Sequence, residues 1–136
     1  MTERPTLCKQ ERLHSFGLIN TLFGGGGSKS MSAFPVRAVY MLTDRKADDS
    51  QAQVMVSVSK RHFKRAVKRN RVKRQLREAY RHNKQMLPLK KMDEGKAVVI
   101  AFIWLDNDLH DSAEVEQRVK NLLERIGEKI CHVMEA

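Results

Sequence analysis

"VMVSVSKRHFKRAVKRNRVKRQLREAYR", residues 54–81, changes its repeat partway along, from two residues to between three and four. In the first part Val54, Val56 and Val58 alternate with Met55, Ser57 and Ser59, the pattern of a strand with one face covered and the other more polar and open. Further on, Val72, Leu76, Ala79, Tyr80 and Asn83 fall within an arc of about 100° on a helical wheel. Arg74, Arg77 and Arg81 lie opposite, flanked by Arg71 and Lys73. A strand therefore feeds a two-faced helix. The inner stripe can dock on a sheet, and the outer one exposes guanidinium groups along about 20 Å of axis. Glu78 stands at helical spacing from both Arg74 and Arg81, so it can pair with either. Arg69 and Asn70 precede the stripe, and Arg69 projects onto the apolar side, where periodicity gives it no explanation.

Upstream, "VRAVYML" (36–42) is rich in strand formers, and the polar "TDRKADDSQ" that follows predicts a turn joining it to the next strand as a hairpin. Leu13, Phe16, Ile19, Leu22 and Phe23 recur at helical spacing, predicting a short amphipathic helix over Lys9 to Phe23. "GGGGSKS" (24–30) stops that helix and reads as a flexible Gly/Ser loop. Glycines cradle phosphate where a strand turns into a helix, and these follow a helix and lead toward a strand. Downstream, "QMLPLKKMDEGK" (85–96) predicts a connection, and "AVVIAFIWL" (97–105) a strand buried on both faces, central or parallel. Asp111 or Ser112 can cap a last helix, with Glu114 favouring its N-terminal dipole and Val115, Val119, Leu122, Ile126, Ile130 and Val133 forming its stripe. The expectation is one α+β domain over residues 1–136 without internal repeats.

The chain carries a net charge of +10 over 136 residues. Between Lys60 and Lys84 twelve cations face one acid, Glu78, whereas the remaining fourteen cations meet fifteen acids. The basicity thus belongs to one element. A solvated helix face would intermix acids, because adjacent like charges on a helix repel by a few tenths of a kcal/mol per pair, roughly. A polyanion explains the run better. Arginine prevails between Arg69 and Arg81, and its planar fork grips phosphate with two bonds and stacks on bases. A basic zipper is excluded because Pro88, not a leucine heptad, follows the helix. A nuclear-import signal would not be tied into a core, which leaves RNA as the preferred polyanion.

Cys8 and Cys131, far apart and outside any metal-ligand spacing, argue against a zinc site or disulfide framework and for a reducing, cytoplasmic setting. The longest apolar run has nine residues, against roughly 20 for a membrane span. His14, His62, His82, His110 and His132 are scattered, and the acids of "TDRKADDS" and "DNDLHDSAE" read as loop and capping groups. No nucleophile has an adjacent base, so no catalytic residue and no protein metal site are expected.

"KRAVKRNRVKRQLREAYR" after "VSVSK" resembles the signature of the protein subunit of bacterial ribonuclease P, an Arg-Asn-Arg trio within a basic helix that follows a strand. The resemblance spans about Lys9 to Ile130. It implies a single α/β sandwich like the second domain of ribosomal protein S5, ordered helix, strands, basic helix, strand, helix, with a left-handed βαβ crossover, a rare hand. It also implies assistance to a catalytic RNA that removes the 5′ leader of precursor tRNA, with magnesium bound mainly by that RNA. The protein would lower the magnesium requirement and need no obligate protein partner or membrane. Carried onto this sequence, Arg65, Lys68, Arg69, Asn70, Arg71, Lys73, Arg74 and Arg77 would contact the catalytic RNA. Ile19, Phe23, Tyr40, Lys60 and Arg61 would form a cleft for the leader, although Phe23 and Tyr40 can equally be core. Ile19 stands where the family commonly has an aromatic, and the four glycines exceed its usual turn. The competing expectations are a ribosomal or RNA-chaperone protein without a role in cleavage, and a module for an acidic protein, which would tolerate Lys for Arg.

Overall fold

The computed structural model describes residues 28–44, 52–87 and 96–135. Its elements are β1 (Lys29–Ala33), β2 (Val36–Asp44), β3 (Ala52–Ser57), α1 (Ala66–Asn83), a 3-10 turn (Lys84–Met86), β4 (Lys96–Trp104) and α2 (Ser112–Glu135). The strands form one mixed sheet in the order β1-β2-β4-β3. The helix expected over residues 9–23 and the four glycines lie outside the described residues.

β2 and β4 take the two central places, and both bury apolar residues on each face, β4 along nearly its whole length. Toward the helices, Val98, Ile100, Phe102 and Trp104 join Val36, Ala38 and Tyr40 of β2 and Val54 of β3. On the other face Val99 and Ala101 cluster with Val39 and Met41, with Met55 and Ile103 packed at the margin. That face was expected to be open, but at its centre it is apolar and buried. Toward its margins it opens, with Met55, Ser57 and Ile103 half-buried and Ser30, Ser32 and Arg37 exposed.

The expected hairpin between the second and third strands does not form. β2 pairs antiparallel with β4 from Val36↔Trp104 to Asp44↔Lys96, and β3 pairs parallel with the opposite edge of β4 from Ala52↔Val98 to Ser57↔Ile103. A strand apolar on both faces needs a neighbour on each edge, and separating β2 from β3 supplies both. The hairpin lies one strand earlier, where β1 pairs with β2 through the turn at Phe34 and Pro35. Lys29 and Ser30, expected within the loop, open β1.

α1 connects the parallel strands β3 and β4 and packs on the sheet through Val72, Leu76, Ala79 and Tyr80, with Tyr80 tilted against Phe102 at 6.2 Å between ring centres. α2 lies beside it and buries Val115, Val119, Leu122, Leu123, Ile126 and Ile130. Gln75 ties the two helices together: its Nε2 donates to the His110 carbonyl at 2.9 Å and to Ser112 Oγ at 3.1 Å. α1 is thus held by an apolar stripe and a polar pin. Its remaining circumference faces solvent.

Candidate nucleic-acid interface

α1 buries Val72, Leu76, Ala79, Tyr80 and Asn83, the stripe read from the sequence, and Gln75 with them, while Arg81, expected on the open side, is half-buried. Lys68, Asn70, Arg71, Arg74 and Arg77 are exposed, while Arg69 and Lys73 are half-buried. Glu78, the lone acid, pairs with Arg81, and this bond more than any other influence holds its carboxyl below the usual range. Arg74 is left out of that pair and acts on Glu78 only at a distance. Asn83 is a buried polar group that donates to the Ala79 carbonyl at 2.9 Å, which explains its place in the stripe. The first turn of α1 carries no acid and Arg65 provides no side-chain cap, so no carboxylate of that turn offsets its cations.

A groove of about 740 Å³ runs between α1 and the first turns of α2, with Arg71, Arg74 and Arg81 on one wall and Ser112 and Glu116 on the other. Its acids are engaged internally, since Glu116 Oε1 lies 3.0 Å from His82 Nδ1.

The connection from β3 to α1 forms a second cationic surface beside the helix. Lys60, Arg61, Lys64 and Arg65 are all exposed, whereas Val58 and Phe63 are buried and anchor the segment. The Ser59 carbonyl accepts from the His62 amide at 3.1 Å, and Ser59 Oγ accepts from the Arg61 amide at 3.1 Å. His62 Nδ1 lies 2.7 Å from Asn107 Oδ1, which joins this connection to the loop after β4. These two loops follow the C-terminal ends of the parallel strands, so the topology brings them together.

Of the expected leader cleft, Ile19 and Phe23 lie outside the described residues. Lys60 and Arg61 are exposed. Tyr40 is 5 % exposed and packs in the core, and burial raises its hydroxyl's pKa. It therefore offers no free face for stacking in this conformation.

Periodicity missed a cluster at the start of α2. His110 stands between two carboxylates, with Nε2 2.6 Å from Asp106 Oδ2 and Nδ1 3.0 Å from Glu114 Oε2, and its ring meets Trp104 edge-on at 5.4 Å. The bonds to Asp106 and then Glu114 push its pKa up, and Asp106 is correspondingly lowered. Asp106 Oδ1 also accepts from the amides of Asn107 and Asp108, which makes it a turn-forming acid. The only signal in the sequence was the four-residue spacing of Asp106, His110 and Glu114. Among the described residues no group of three or more His, Cys, Asp or Glu is placed to hold a metal ion, and no helix is long and apolar enough to cross a membrane.

A mixed sheet backed by two helices, one of which shows an unneutralised arginine face, defines an α+β protein built to meet a polyanion. The family model described as Ribonuclease P matches residues 7–127, and the chain belongs to that family as a protein component of bacterial ribonuclease P. The ribonuclease P protein component of Porphyromonas gingivalis (strain ATCC BAA-308 / W83) is 42% identical over 129 residues, covering 93% of this chain and 92% of that protein. That of Chlorobium phaeobacteroides is 41% identical over 93 residues, covering 67% and 62%. Among solved structures, the ribonuclease P protein of Thermotoga maritima matches with a TM-score of 0.61 at 24% identity, covering 85% of this chain and 96% of that one. The Staphylococcus aureus protein matches with a TM-score of 0.63 at 17% identity, covering 85% and 94%. At these identities the two structures speak for the fold.

Proposed function

We propose that this chain binds the catalytic RNA of ribonuclease P through the exposed side of α1 and the adjoining connection from β3, and assists that RNA in removing the 5′ leader of precursor tRNA in the cytoplasm. The observation that carries the reading is the face formed by Arg71, Arg74 and Arg77, exposed on a helix whose one acid is engaged by Arg81. Arginines fixed on a seated helix lose little freedom on meeting phosphates, and each phosphate neutralised releases condensed counterions. Such neutralisation does part of the work that magnesium otherwise performs in holding RNA strands together, so the RNA should function at less of it. The chain's own residues bind and orient, and the chemistry belongs to the RNA with its metal ions. Lys60 and Arg61, at the strand end, would hold leader phosphates.

The test is reconstitution: the chain, added to its cognate catalytic RNA, should permit precursor tRNA cleavage at magnesium concentrations where the RNA alone is inactive.

A further inference from the structure

Arg69 belongs to the Arg-Asn-Arg trio, but its surroundings differ from those of Arg71, Arg74 and Arg77. It is half-buried, and its Nη1 donates to the Phe63 carbonyl at 2.9 Å and to the Lys64 carbonyl at 3.0 Å. Both hydrogens of that nitrogen are thus engaged by the protein. The two carbonyls lie just before α1, at the end of a segment in which Lys60, Arg61, Lys64 and Arg65 repel one another.

We propose that Arg69 is a positioning residue: its guanidinium fastens the Lys60–Arg65 connection onto the start of α1, and it acts on RNA through the cations of that connection. The inference rests on the RNA-binding reading above. A cation in the first turn of a helix opposes the helix dipole, so Arg69 is poorly placed there unless acceptors compensate it. The Phe63 and Lys64 carbonyls are those acceptors, and a charge-assisted bond to each is stronger than a neutral one. The rest of the connection is already anchored by Phe63 in the core, by the turn at Ser59 and by the contact between His62 and Asn107. Arg69 completes this set at the helix end, beside Lys64 and Arg65. A connection fixed before RNA arrives spares the ordering cost that a loose one incurs on binding.

Amide hydrogen exchange on the free, full-length chain separates this role from direct phosphate contact. Arg69→Ala should speed exchange across residues 60–66 by at least about tenfold, while Arg71→Ala leaves those amides at the parental rate. Arg69→Lys guards against a folding defect, because it keeps the charge but replaces the fork by one nitrogen on a shorter stem; it should loosen the same amides. In binding to the catalytic RNA, the losses from Arg69→Ala and from the pair Lys64→Ala and Arg65→Ala should be less than additive. Unchanged exchange, full rescue of RNA affinity by Arg69→Lys, or additive losses would each overturn the proposal. So would a loosened connection with unaltered affinity, provided the parental chain binds. If the parental chain does not bind the RNA, the underlying reading fails instead, and exchange in the free chain still reports what Arg69 holds.

Discussion

Replacing Arg71, Arg74 and Arg77 together by Gln gives the most quantitative test of the α1 surface. All three are exposed, and none takes part in the ion pair between Glu78 and Arg81. If each neutralises one phosphate, the slope of log affinity against log salt should flatten by about 2 to 2.7, at roughly 0.7–0.9 per phosphate. Over a threefold rise in salt the parent should then lose about 10- to 20-fold more affinity than the variant. The assay is fluorescence anisotropy of labelled catalytic RNA across a monovalent salt series. The matched control is Arg81→Gln with Glu78→Gln, which removes an internally neutral pair and should keep nearly the parental slope. The triple variant also relieves repulsion along α1, so the free chain should be as stable as the parent or slightly more so. A triple variant with the parental slope, or a control that flattens as much, would refute the reasoning.

Two further outcomes concern what seats α1 and α2. Leu76 has no exposed surface, so Leu76→Ala should cost about 2–5 kcal/mol in urea unfolding, and a loss below about 1 kcal/mol would mean that α1 is not held by this stripe. His110, raised above its ordinary value of 6.5 mainly by Asp106 and then Glu114, gives stability that is fully present below that value and disappears as pH rises through its raised one. The urea midpoint should therefore decline on the alkaline side in the parent and decline less in His110→Asn; superimposable pH profiles would contradict this.

The two repeats in residues 54–81 and the doubly apolar "AVVIAFIWL" made the strand, the two-faced helix and the central strand legible, because each pattern is local and set by burial. Strand partnership is not local. β1 has the sequence Lys-Ser-Met-Ser-Ala, poor in strand formers, and it is a strand only because the turn at Phe34 and Pro35 lays it along β2. The demand of β4 for two neighbours likewise overrode the short connection that suggested a hairpin between β2 and β3. In the interface, exposure of Arg71, Arg74 and Arg77 followed from helical phase. The bonds of Arg69 to two carbonyls, and of His110 to two acids, depend on where loops turn, which the pattern of residue types does not encode. Tyr40 shows the same limit, since strand alternation gives it a face without saying what covers that face.

The central claim, that the chain assists a catalytic RNA through an arginine face, is tested most directly by cleavage of a precursor tRNA at limiting magnesium. The catalytic RNA would be assayed alone, with the parental chain, and with the Arg71, Arg74 and Arg77 triple variant, and the mature 5′ end mapped. Cleavage at the mature end with the parental chain, little or none with the RNA alone, and a shift of the magnesium requirement back toward that of the RNA with the triple variant are the expected results. Equal magnesium dependence with and without the parental chain would contradict the account.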